Sequence, residues 1–125
     1  MVKSVLYILF EKKKKVGARL ANIHLEGPFL SPQKRGTMHY PPLPCEGDVF
    51  EKIMELAAGE VAIMTIAPEL DGAIDLIRLD RDRGIWMSFG HTVADCTCAP
   101  AAIDAGACGT THTFNAMRSY DHREP

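Results

Sequence analysis

The chain has 125 residues, a formal charge of −2, a pI near 6.2 and 46% hydrophobic residues. That length suits one modest domain with enough apolar side chains for a core. The mild acidity leaves no electrostatic ground for nucleic acid or an anionic membrane as partner, and no run approaches the roughly twenty apolar residues of a membrane span.

Ser4 to Lys14 has apolar residues at helical spacing and a basic end, Lys12 to Lys15, which suits the solvated C-terminus of a helix. Val2 to Phe10 is apolar, but its charges follow instead of preceding it and no small-residue cleavage site is present. The expected location is therefore cytoplasmic. Gly17 breaks the helix, and Ala18 to Leu25 reads as a buried strand. A Pro- and Gly-rich stretch from Gly27 to Gly47 is too interrupted for regular structure. Loops of that length in compact domains tend to carry function.

Asp48, with Glu51 three residues on, forms a capping box that opens a helix to about Ala58, and Gly59 takes the C′ position. Val61 to Ile66 is a second strand, followed by Ala67-Pro68-Glu69. Leu70 to Arg83 reads as a helix with Leu70, Ile74 and Ile77 inward, closed by Gly84. Ile85 to Phe89 is a third strand. Thr97 to Ala105 is a helix with Pro100 in its first turn, where a missing N–H costs little. Gly106 ends it, and Ala107 to His112 is a fourth strand.

Strands alternating with Gly-terminated helices imply an α/β fold with parallel pairing through right-handed crossovers. Periodicity leaves open whether the sheet is doubly wound or an arc of a barrel. Either way, chemistry gathers at the carboxyl ends of the strands. Cys45, Cys96, Cys98 and Cys108 lack a paired C-x-x-C pattern and read as reduced, buried or semi-exposed thiols.

Three segments lie at those strand ends: His24-Leu25-Glu26-Gly27-Pro28-Phe29, Gly90-His91-Thr92, and Thr111-His112-Thr113-Phe114-Asn115-Ala116-Met117. One carboxylate and two imidazoles from separate strands suit a divalent cation with a position left for water. Each residue also has a plain structural reading: Glu26 as a cap or ion-pair partner, His91 and His112 as packed histidines. His24 shares a strand face with Glu26, and its deeper position favours a supporting or core role. Asn115 and Ala116 suit a turn that holds a sugar hydroxyl or phosphate oxygen, or Asn115 serves turn geometry alone. His39 could reach over the site from the long loop, and His122 reads as solvated.

The motifs H-L-E-G-P-F-L-S-P-x-K-R-G, T-I-A-P-E, G-H-T-x-A, T-H-T-F-N-A-M and R-E-P, in that order from about Gly17 onward, resemble the N-acetylglucosamine-6-phosphate deacetylases of the amidohydrolase superfamily. The resemblance implies a partial (β/α)8 barrel, the third to sixth strands, with residues 1–125 forming the central part of the catalytic domain. It implies metal ligation by Glu26, His91 and His112, with zinc expected and iron, cobalt or manganese as other occupants. Substrate contacts fall on Asn115, Ala116 and His39, although Gly36-Thr37-Met38-His39 is one residue longer than the family spacing. The implied reaction is hydrolysis of the acetamido group of N-acetylglucosamine 6-phosphate to glucosamine 6-phosphate and acetate.

The family's catalytic aspartate, first barrel strand and small β domain have no counterpart in these residues. The expectation is therefore a chain inactive by itself, with exposed parallel edges that favour self-association or homo-oligomers. The alternative is a non-catalytic, truncated module that binds a metal or a sugar phosphate. A doubly wound phosphate-binding domain is disfavoured because no glycine-rich turn follows the first strand.

Overall fold

The computed structural model describes residues 8–12 and 17–123. Four parallel strands form one sheet in the order β1 (Ile23–Glu26), β2 (Val61–Ile66), β3 (Trp86–Phe89), β4 (Gly109–Thr110). Helices α1 (Gly47–Leu56), α2 (Ala73–Arg81) and α3 (Cys98–Ala105) make the three crossovers. Each strand thus pairs with its sequence neighbours, the order that a closing barrel requires, and the fold is the expected α/β arc of a (β/α)8 barrel.

The two faces of the sheet differ in chemistry. Ile23, Leu25, Met64, Ile66 and Met87 are buried against the helices, where they meet Phe50, Ile53, Ala57, Ala73, Leu76, Ile77, Ala102 and Ala105. Phe29, from the long loop, joins them and packs on Phe50 with ring centroids 6.5 Å apart. On the opposite face the register aligns Glu26 with Thr65, Ser88 and Gly109, and His24 with Ile63 and Trp86. That face is polar at the Glu26 level, where Thr65 and Ser88 are buried, and open one row below, where Trp86 is 54% exposed and His24 is exposed as well, not part of the core.

Several local expectations shift. Residues 18–22 are solvent-exposed without a neighbouring strand, so β1 starts at Ile23 and gains Glu26. β3 begins at Trp86, one residue later than the apolar run. β4 covers only Gly109–Thr110, because His112 adopts φ 56° and leaves extended geometry. Asp48 does not cap α1. Glu46 holds the N-cap position without a side-chain bond, and Asp48 lies in the first turn, where its charge faces the helix dipole. Glu51, the other half of the expected box, bonds Arg83 instead, accepting from Nη1 at 3.0 Å and also from Nη2. The left-handed residue after the C-cap Ala57 is Ala58, φ 51°, with Gly59 one place later.

α2 spans Ala73–Arg81, shorter than expected at both ends, with Ile77 buried and Leu70 and Ile74 only half-buried. Pro100 occupies the first turn of α3 as expected. Asp95 supplies the capping oxygen there, accepting from Thr97 N–H and Cys98 N–H, both at 2.9 Å. The Thr97 hydroxyl, donating to the same oxygen, and then these two bonds pull its carboxyl down to about 2. Of the opening segment, residues 8–12 are helical, and Lys12 pairs with Glu60. The rest of Ser4–Lys14 lies outside the described residues. All four cysteines are free thiols, Cys45 buried and Cys96 and Cys108 exposed. No helix among the described residues is long and apolar enough to cross a membrane.

Candidate metal centre

Glu26, His91 and His112 meet at the carboxyl edge of the sheet. The Nε2 atoms of His91 and His112 lie 2.6 Å and 2.7 Å from the same Glu26 oxygen, Oε1. The two imidazoles pack edge-on with centroids 5.1 Å apart. Each residue offers one ligand atom, all within 4.8 Å of one another, and no other such cluster of His, Cys, Asp or Glu occurs among the described residues. The side chain of His91 is 7% exposed, that of Glu26 35% and that of His112 46%. The group is therefore walled on the His91 side and open above.

The protons on His91 are informative. Its Nδ1 faces the Lys34 carbonyl oxygen at 2.7 Å, an acceptor only, so Nδ1 carries the hydrogen. Its Nε2 faces a carboxylate oxygen. Burial pushes the Glu26 carboxyl up, but hydrogen bonds and charges from His112 and His91 outweigh that and hold it below the usual range. A neutral imidazole would then set a lone pair against a lone pair at 2.6 Å. An imidazolium relieves that contact, and so does a cation shared by all three atoms. Two Nε2 donors and one carboxylate oxygen are an ordinary donor set for Zn²⁺ and its neighbours, so the residues present fit such an ion.

The backbone under both histidines is left-handed, φ 50° at His91 and 56° at His112. Such positions cost of order 1–3 kcal/mol each and persist only when surrounding contacts enforce them. At His91 those contacts are explicit. Ser31 N–H donates to its carbonyl at 2.9 Å, and Glu69 clamps the next two residues. Val93 N–H donates to Glu69 Oε1 at 2.8 Å, and the Thr92 hydroxyl donates to Oε2. Gly90 is required beside them, because a Cβ there would lie 2.6 Å from the Thr111 carbonyl oxygen.

The remaining expected residues are distributed around this centre. Asn115 is exposed in the turn after His112, its N–H donating to the His112 carbonyl oxygen. Ala116 is half-buried, and its carbonyl accepts from Thr92 N–H at 3.1 Å, joining the two histidine loops. His39 is exposed in the long loop, and its neighbour Tyr40 is the residue that approaches Glu26, its hydroxyl 3.5 Å from the Glu26 carbonyl oxygen. Burial, with the Glu26 charge adding, raises the Tyr40 phenol. His122 is exposed, as expected. Sequence reading missed Glu69, Tyr40 and the hydroxyls of Thr65, Ser88 and Thr111. Only the acidic residue closing T-I-A-P-E, just past a strand end, offered a signal.

A parallel strand arc with a carboxylate and two imidazoles converging at its carboxyl edge defines the class: an α/β-barrel portion carrying a candidate metal-ligand set. Comparison with known proteins narrows this. No family model matches the chain. It is 42% identical over 116 residues to the N-acetylglucosamine-6-phosphate deacetylase of Bacillus subtilis, a match covering 92% of this chain and 29% of that protein. The crystal structure of N-acetyl-D-glucosamine-6-phosphate deacetylase from Mycobacterium smegmatis superposes with a TM-score of 0.84 at 36% identity, over 99% of this chain and 32% of that one. An aspartate-to-alanine mutant of the same enzyme, in complex with N-acetyl-D-glucosamine-6-phosphate, gives 0.81 at 35% identity, again over 99% and 32%. These matches relate the chain to the N-acetylglucosamine-6-phosphate deacetylases, and it spans under a third of the length of those relatives.

Proposed function

We propose that this chain is the metal-holding central section of a deacetylase barrel, its third to sixth strands. The reaction is hydrolysis of the acetamido group of N-acetylglucosamine 6-phosphate to glucosamine 6-phosphate and acetate. The observation that carries this reading is the convergence of Glu26 Oε1 with the Nε2 atoms of His91 and His112, residues far apart in sequence. Kinship with enzymes of that name supports the choice of substrate.

Glu26, His91 and His112 would hold a divalent ion, zinc by our reading. When bound, such an ion activates water and polarises the amide carbonyl. Glu26 stays ionised to accept it, and His91 presents Nε2 because Lys34 retains the proton on Nδ1. Asn115 and Ala116, on the turn joining the two histidine loops, would orient the sugar phosphate, with His39 of the long loop as a further contact. Such placement lowers the barrier through proximity. The open edges of β1 and β4 favour self-association or pairing with the rest of such a barrel.

Acetate release from N-acetylglucosamine 6-phosphate by the protein that carries this chain tests the reading. His112→Ala should lower kcat/KM by 10² or more. Turnover by that variant at the unsubstituted rate would overturn it.

A further inference from the structure

Beneath the metal centre a line of hydroxyl groups crosses the open face of the sheet. Thr65 Oγ1 on β2 lies 2.8 Å from His24 Nε2 on β1 and 2.9 Å from Thr111 Oγ1 past β4. Thr111 Oγ1 lies a further 2.8 Å from Ser88 Oγ on β3. Each of the four strand segments contributes one group, and the row touches none of the three ligand side chains. Thr65 is 0% and Ser88 4% exposed, so both hydroxyls depend on Thr111 for a partner, Thr65 on His24 as well.

From this geometry we infer that Thr111, acting through Thr65 and Ser88, is a positioning residue that sets the spacing between His112 and Glu26, and with it the affinity and geometry of the divalent cation. The inference rests on the metal-centre reading above. Glu26, Thr65 and Ser88 stand in one register row, so the hydroxyl row is anchored at the level from which the Glu26 carboxylate departs. Thr111 immediately precedes His112. Backbone bonds tie its stretch of chain to β3, at the Ser88–Gly109 and Phe89–Thr110 pairs and from the Thr111 N–H to the Phe89 carbonyl oxygen at 3.0 Å, and the Thr111 hydroxyl carries that tie on to β2. His91 needs no such help, being held by Lys34, Ser31 and the Glu69 clamp. His112 is half-exposed on a left-handed backbone, and the Thr111 side chain ties that backbone to both central strands.

The test is titration of the metal-free chain with Co²⁺, read by its visible absorption, on the unsubstituted protein and on Thr111→Val, Thr111→Ser, Ser88→Ala and Glu26→Ala. Melting of each metal-free form is recorded alongside. Valine keeps the shape of Thr111 and removes the hydroxyl. Groups bonded directly to a metal ligand are worth 10–100-fold in metal affinity; Thr111 acts through the backbone of His112, so Thr111→Val should weaken Co²⁺ by about 10-fold, the lower end of that range, and alter its spectrum. Thr111→Ser should restore both, and Ser88→Ala, which removes only the end of the row, should give a smaller loss.

Unchanged affinity and spectrum in Thr111→Val, with Co²⁺ lost in Glu26→Ala, would overturn the inference and leave the metal centre standing. If Thr111→Val does not fold, unchanged binding in Ser88→Ala overturns it equally. Failure of the unsubstituted chain to take up Co²⁺ would remove the metal centre and this inference together.

Discussion

Asp80 is a buried, unpartnered carboxyl in the helical layer, and its cost depends on pH. It lies on the buried stripe of α2 with Ala73, Leu76 and Ile77, fully buried, and neither carboxylate oxygen has a hydrogen-bond partner among the described residues. The nearest cation is Arg83, Nε 4.0 Å from Oδ1. Burial raises the carboxyl from 3.8 to about 6. Arg83 opposes the rise, and the Glu51 charge adds to it. A group with a folded pKa above its unfolded value binds more protons when folded, so its contribution is present at low pH and lost as pH rises through the folded pKa. Asp80 should therefore take away stability between about pH 4 and 7, by about 3 kcal/mol in all.

Urea denaturation of the chain and of Asp80→Asn at pH 4 and pH 7.5 reads this directly. The variant should lose the descending slope, so that the difference between the two proteins shifts in its favour by roughly 2–3 kcal/mol from the lower pH to the higher. Other carboxyls cancel in that difference. A difference independent of pH would refute the reasoning, and would mean that Asp80 is solvated or paired.

Phe50→Ala, at a fully buried residue linking α1 to the long loop through Phe29, should cost about 3–5 kcal/mol in the same assay, with no loss of the parallel sheet by circular dichroism. Gly90→Ala drives a Cβ against the Thr111 carbonyl oxygen and should lower both the melting temperature and the uptake of Zn²⁺, whereas Gly84→Ala, with open space around it, should leave metal uptake unchanged. Glu69→Ala releases Thr92 and Val93 and should weaken Zn²⁺ binding 10–100-fold by calorimetry, with Glu69→Gln recovering part of it through the Val93 bond.

The succession of strands and helices was legible because its signals are local: apolar periodicity, and glycines with left-handed φ after the helices, such as Gly84 and Gly106. Element ends were less so, because pairing is tertiary. Residues 18–22 carry a strand-like pattern but meet no second strand there, and the Asp48–Glu51 box lost to Arg83, which arrives from the turn after α2. The meeting of Glu26, His91 and His112 could be anticipated because each closes or directly follows a strand at the same edge of the sheet. Thr65, Ser88 and Thr111 could not, since a hydroxyl on a strand becomes part of a row only when the register sets it opposite another. Asp80 sits at helical spacing from Ala73 and Ile77, so its burial was implicit in the periodicity that placed Ile77 inward.

The purified chain, equilibrated with Zn²⁺, dialysed and submitted to elemental analysis, should carry one metal per chain, and Glu26→Ala and His112→Ala, folded by circular dichroism, should carry less than about a tenth of that. Equal metal content in all three proteins, or none in the unsubstituted one, would contradict the proposed metal centre.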